Sequence, residues 1–143
     1  MLDYIKKCFA KDRSIADYIS FGLSIAMLIA AICYISIDPG ELKIEDYSRT
    51  FGFVMMLVGS IFGIITFFLN FKIVSNYSPL ICLIFYSFAA GRQLYLTGYP
   101  LADFFTGVNW FGGNLGTYMS FFIIFLIAAI IEIVLLFMPR KAK

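Results

Sequence analysis

Four long apolar runs alternate with short polar stretches along this chain, and the alternation predicts its elements. The runs cover about Ile15 to Ile37, Phe51 to Phe71, Pro79 to Thr97 and Tyr118 to Met138. Each is near the roughly 20 residues that a helix needs to cross about 30 Å of hydrocarbon, so each predicts a transmembrane helix. Asp38-Pro39-Gly40 is a stop and turn signal after the first run. An acidic loop follows, in which Lys43 and Arg49 offset Glu41, Glu45 and Asp46. Lys72 to Ser78 predicts a tight turn, with Pro79 suited to a helix start. Past Gly98-Tyr99-Pro100, Leu101 to Phe105 can make one helical turn before Gly107, Gly112, Gly113 and Gly116 break the chain.

Ahead of the first run, residues 1–13 place Leu2, Ile5 and Phe9 on one helical face with Lys6, Lys7 and Lys11 beside it. That is the pattern of a short helix lying on an anionic membrane surface, or of a solvated lead-in turn. The predicted fold class is an all-α membrane protein. It is a four-transmembrane-helix bundle (residues 14–138) with a short N-terminal interfacial helix (1–13), an aromatic and glycine-rich outer loop, and a basic tail (139–143).

Polar and small residues inside the runs are spaced for helix packing. Gly22, Ala26 and Ala30 recur every four residues and leave a shallow groove for another helix. Gly52, Met56, Gly59, Gly63, Thr66 and Asn70 form one narrow stripe on the second helix, in which Gly59-x-x-x-Gly63 is a close-contact motif. It serves packing within the protomer or self-association. Tyr99, Phe104, Phe105, Trp110, Phe111 and Tyr118 crowd the last loop, together with Asp103, Asn109 and Asn114. That composition suits a cap at the membrane–water boundary; a re-entrant, ligand-lining segment is the sharper alternative.

Composition narrows the function classes. The chain has 143 residues, 62% hydrophobic and only 14% charged, with mean hydropathy +0.91. A soluble domain carries about a quarter charged residues, so the composition argues against a water-soluble fold. A net charge of +2 without a basic, aromatic-interleaved cluster argues against nucleic acid. Histidine is absent, which removes the commonest acid–base catalyst and metal ligand. Cys8, Cys33 and Cys82 form no CxxC pair and read as small apolar residues in helices, so neither metal nor cofactor is expected. Ile32 stands where a lipoprotein-type cleavage before Cys33 needs a small residue, and the first run therefore reads as a retained anchor.

Lys and Arg are distributed unevenly. Lys6, Lys7, Lys11, Arg13, Lys72, Arg140, Lys141 and Lys143 fall on one side, against Lys43 and Arg49 on the other. The positive-inside rule then places both termini in the cytoplasm and the 38–50 and 98–117 loops outside. The Asn76-Tyr77-Ser78 sequon falls on the inner side and is discounted.

Two charges remain inside the runs, Arg92 and Glu132. A charge in such a run costs roughly 2.5–3.5 kcal/mol on insertion scales, so each needs a partner or a water path. At 1.5 Å per residue they differ in depth by about 11 Å, so a direct bond requires helices staggered by about a turn. Arg92 can instead snorkel outward to Asp103 or to the Glu45/Asp46 loop, with Gln93 adding donors and an acceptor beside it. For Glu132 the partners are Asn70 and Thr66 on the second helix, a tyrosine hydroxyl, or Lys72. Its roles divide among a hydrogen-bonded strut, a proton- or cation-handling carboxylate, and a contact with lipid or a partner protein.

Asp38-Pro39 closes the first span, Arg49-x-x-Gly52 opens the second, Gly91-Arg92 is followed by Gly98-x-Pro100, and Glu132 stands in the fourth. On these features the chain, over residues 20–137, resembles an uncharacterised family of small four-helix bacterial membrane proteins. The family has no assigned activity, so the resemblance implies a topology more than a chemistry. The stretch from Phe104 to Gly116 is an addition to that pattern.

Three functions compete. The first is a non-catalytic protein acting by association with membrane lipids, copies of itself or a partner membrane protein, either an accessory subunit or an oligomer built through glycine-lined faces, and binding lipid or another apolar molecule near the outer loop. The second is a transporter or channel component with Glu132 and Arg92 in a polar route. An enzyme is disfavoured, because no nucleophile–base pair, HExxH, phosphate loop or dithiol motif is present.

Overall fold

The computed structural model describes Met1, Asp3 and residues 13–69 and 71–139. The expected interfacial helix before Arg13, Cys8, Asn70 and the basic tail from Arg140 lie outside the described residues. Four helices make up the fold: α1 (Ile15–Ser36), α2 (Thr50–Leu69), α3 (Lys72–Thr106) and α4 (Leu115–Phe137). All four are long and apolar enough to cross a membrane, and at most 39% of any one apolar window is buried inside the bundle. Most of the helical surface therefore faces lipid, with isoleucines such as Ile29, Ile32, Ile127 and Ile130 pointing outward.

Helix ends follow local chemistry. Ser14 and Asp17 form a capping box at the start of α1: Asp17 N–H donates to Ser14 Oγ (3.2 Å) and Ser14 N–H to Asp17 Oδ2 (3.2 Å). After α1, Gly40 takes φ +82° and its N–H donates to Asp38 Oδ1 at 2.9 Å, which is the turn that Asp38-Pro39-Gly40 predicts. Asn114 caps α4 by accepting from Thr117 N–H at 3.3 Å.

The third helix departs from expectation. Its 35 residues include both Pro79 and Pro100. It measures about 52 Å at 1.5 Å per residue, well beyond the hydrocarbon thickness. The tight turn expected over Lys72 to Ser78 is helix throughout, because α3 already begins at Lys72. A proline removes one helical hydrogen bond, a loss that packing routinely offsets in membrane helices. Around Pro100 that packing is visible. Leu96 is buried with Leu42 and Tyr118, Tyr99 donates to the Tyr95 hydroxyl at 2.8 Å, and a Cβ on Gly113 would stand 3.3 Å from Pro100 Cγ. The helix stops only at Gly107, whose φ of +68° and N–H bond to Asp103 O make a left-handed cap.

Each helix packs on its neighbour in sequence, and α1 meets α4 along a smaller seam. The contact face of α1 is also not the expected one. Gly22 and Ala26 are exposed and Ala30 is half-buried, while Ala16, Ser20, Ser24, Met27, Ala31 and Tyr34 are buried. Tyr34 bonds across the bundle to Gln93 and Ser24 packs against Gly63 of α2, and with these on the inner face the smallest residues of α1 face outward. On α2, Gly52, Met56, Gly59, Gly63 and Thr66 all lie buried. The end that carries the 37–49 and 107–114 connections is called the loop end below; the other is the terminal end.

Candidate functional site

Two polar centres lie inside the bundle, separated by an apolar layer of Met27, Ala31, Met56, Ala89, Phe125 and Ala128. The centre at the loop end is built on Gln93, 1% exposed in the middle of α3. Its Nε2 donates to Tyr118 O at 2.9 Å, and its Oε1 accepts from the Tyr34 hydroxyl at 2.8 Å. Thr97, one turn on, donates to Gln93 O (2.7 Å) and to Tyr118 O (3.2 Å). The Tyr118 hydroxyl continues to Gly40 O at 2.9 Å and lies 3.1 Å from that of Tyr47. Arg49 closes the end of α1 by donating to Tyr34 O (2.7 Å) and Ile37 O (2.8 Å). Helices α1, α3 and α4 and the first loop are thereby tied together.

Arg92 belongs to the same end. Its Nη1 pairs with Asp46 Oδ2 at 3.0 Å, and its Nη2 donates to Asp46 O (2.8 Å) and Ser48 O (3.1 Å). The guanidinium is thus committed to the 46–48 loop and not to Glu132. Asp103 does different work: its carboxylate accepts from the backbone N–H of Trp110 (3.1 Å), Phe111 (2.9 Å) and Gly112 (3.0 Å). It holds the last connection in shape, and Lys43 N–H to Phe111 O (2.8 Å) and Asn114 N–H to Pro39 O (2.7 Å) lay that connection over the first loop. Asn109 and Trp110 stand exposed on it. The glycine-rich segment is a cap on the first loop.

The centre at the terminal end surrounds Glu132, which is 0% exposed. The Tyr86 phenol has Ser24, Ser60, Cys82 and Glu132 within electrostatic reach. Gly59 and Gly63 make the room for it. A Cβ on Gly59 would lie 2.9 Å from Tyr86 Cε1, and one on Gly63 would run into Ser24 Oγ. Thr66 donates to Gly63 O at 2.9 Å, so its 2.9 Å contact with Ser78 Oγ is completed by the Ser78 proton. Nearer the end, Ser75 Oγ donates to Asp17 Oδ1 at 3.2 Å. A half-open cleft there is lined by Arg13, Asp17, Ser20, Thr66, Ser75 and Ser78, with Phe21, Gly63 and Phe67.

Several of these residues carry no long apolar or charged signature: Tyr34, Tyr86, Thr97, Ser24, Ser60 and Ser78. The signal that finds them is hydroxyl spacing within apolar runs, three or four residues apart, as in Ser20/Ser24, Gln93/Thr97 and Ser75/Ser78/Cys82. Among the described residues no three His, Cys, Asp or Glu side chains gather as a metal site. Fold and polar centres together define a four-helix, multi-pass membrane protein. Comparison with protein-family models, with curated proteins and with solved structures returned no match.

Proposed function

We propose that this is a non-catalytic integral protein of the bacterial inner membrane, with both termini cytoplasmic, that works by association with lipid, copies of itself or a partner membrane protein. The division of surfaces at the loop end carries this reading. The buried polar side chains there, Tyr34, Gln93, Thr97 and Tyr118, are consumed in hydrogen bonds within the protein, while Phe104, Phe105 and Trp110 remain 68%, 77% and 69% exposed. Trp110 and Val108 also border a pocket of about 260 Å³ with Ala102, Asp103, Thr106 and Phe111, in which the Asp103 carboxylate is already taken up by backbone N–H groups. Exposed aromatics around an apolar hollow suit a contact and offer no reacting group. The outward Gly22 and Ala26 provide a second face for close helix approach. The excess of Lys and Arg on the terminal side supports the orientation.

Native mass spectrometry of the detergent-extracted protein tests it. The wild type should leave the membrane with copies of itself, a stoichiometric partner or bound lipid. The combined Phe104→Ser, Phe105→Ser and Trp110→Ser variant should lose that companion while keeping its helical circular dichroism. A bare monomer in both cases rejects the reading.

A second reading, a proton- or cation-handling carboxylate, is favoured by one observation: Glu132 is fully buried beside Tyr86, above a polar cleft. Under it, Glu132→Gln abolishes a pH- or sodium-dependent phenotype at normal expression. Under the first reading the same variant is silent.

A further inference from the structure

The loop end carries an apolar patch and an acidic loop on one surface, and all residues of the 37–49 and 107–114 connections are described. Phe104, Phe105, Val108 and Trp110 stand exposed around the hollow of about 260 Å³. That volume is below the roughly 300–1,000 Å³ of small-molecule sites and suits the anchoring side chain of a protein contact. The acidic loop lies directly against the patch. Lys43 N–H donates to Phe111 O at 2.8 Å, and a Cβ on Gly112 would stand 3.0 Å from Glu41 O. Asp38, Glu41, Glu45 and Asp46 are exposed there, and among the described residues of these connections only Lys43 opposes them in the open. Arg49 and Arg92 are half-buried. Their guanidiniums are spent on Tyr34 O and Ile37 O and on the 46–48 loop. The rim of the hollow is therefore negative.

We propose that this surface docks a basic segment of a partner protein, whose aliphatic side chain fills the hollow while its Lys or Arg side chains meet Glu41 and Glu45. This rests on the association reading and selects one companion among those named there. Charge complementarity favours a cationic partner, and a second copy would set one acidic rim against another. Position disfavours an acyl chain. Thr97 Oγ1 donates to Tyr118 O at 3.2 Å, just inside the start of α4 at Leu115, so α3 is level with that start near Pro100. It then continues to Thr106, about 9 Å further at 1.5 Å per residue. The headgroups bordering the hydrocarbon are only roughly 5–7 Å deep on each side. The tip that bears Phe104 and Phe105 therefore stands where a protein reaches it and acyl chains do not. Aromatic anchors beside a hollow, ringed by charge, are the arrangement of a protein contact.

Trp110 is the chain's one tryptophan, so its emission reports on the hollow directly. The full chain in neutral-detergent micelles is titrated with a short peptide of two leucines flanked by lysines, and with the same peptide carrying glutamates for the lysines. The lysine peptide should shift Trp110 emission to the blue, and the glutamate peptide should not. Glu41→Gln combined with Glu45→Gln should weaken the lysine peptide about fivefold, as the loss of two exposed ion pairs predicts. Lys43→Glu should strengthen it about twofold. Ala102→Leu, which fills the hollow from an exposed helix position, should abolish the shift at unchanged helical circular dichroism. Equal binding of the two peptides, or charge variants that titrate as wild type, overturns this proposal and leaves the association reading in place. So does quenching of Trp110 by acyl-brominated lipids in nanodiscs before any peptide is added, which would make the patch a membrane anchor. A dimer that Phe104→Ser with Phe105→Ser disperses would assign the patch to a second copy and overturn it too. A bare monomer in the native mass spectra rejects the association reading and this proposal together.

Discussion

At the loop end, hydrogen bonds run between elements far apart in sequence: Tyr34 to Gln93, Gln93 to Tyr118, Tyr118 to Gly40 and Arg92 to Ser48. At the terminal end several hydroxyls turn back on their own helices, beside the cross-helix contacts of Thr66 with Ser78 and of Ser75 with Asp17. Ser24 donates to Ser20 O at 2.9 Å, Ser60 to Met56 O at 2.7 Å and Thr66 to Gly63 O at 2.9 Å. Both ends sit in one bilayer, where every polar group needs a partner. One end uses that need to cross-link helices and loops. The other satisfies it partly within single helices and partly between helices, and there the helices approach closely at Gly59 and Gly63. The contrast separates an end cross-linked between distant elements from one whose hydroxyl bonds are more local.

Gln93→Leu should be the most damaging way to break this contrast. It strips the Tyr34 hydroxyl of its acceptor and Tyr118 O of one donor, for a loss of about 2–3 kcal/mol. Glu132→Gln should stay below about 1 kcal/mol, since the amide keeps the shape and hydrogen-bonding capacity of the side chain. Detergent-induced unfolding in mixed micelles compares the two, and equal losses would dissolve the distinction between the halves. Next comes Gly63→Val, about 1–2 kcal/mol from overpacking against Ser24. Adding Ser24→Ala should restore part of it, because the Ser24 hydroxyl is the first atom in the way; no restoration would mean that the contact is not what limits helix approach. The smallest effect belongs to Asp46→Asn, about 0–1 kcal/mol, because the Asp46 side chain is 71% exposed. Arg92→Leu should exceed it and speed amide exchange around Ser48 and Thr50, since it also frees the Asp46 and Ser48 carbonyls.

Much of this architecture was legible in the residues. The apolar runs had to be helices, and the α2 stripe from Gly52 to Thr66 had to be buried somewhere. Arg92 had to reach a polar loop. Less legible was anything that depended on which neighbour lay opposite. The third helix ran past its expected end near Thr97 because Leu96, Tyr99 and Pro100 pack against Leu42, Phe111 and Gly113. The Gly22/Ala26/Ala30 groove turned outward because Tyr34 bonds to Gln93 and Ser24 packs on Gly63 inside. Asp103 looked like a mate for Arg92 and instead organises the backbone of its own loop.

The sequence by itself determined four membrane-length helices, their order and the cap signals at several of their ends, because hydrophobic length and local hydrogen bonding are properties of short stretches of chain. Only the tertiary structure decided which face of α1 is buried, that α3 runs on through two prolines, and how the hydroxyls divide between the two ends. Those outcomes turn on packing and hydrogen-bond partners up to 78 residues apart, and no local pattern encodes them.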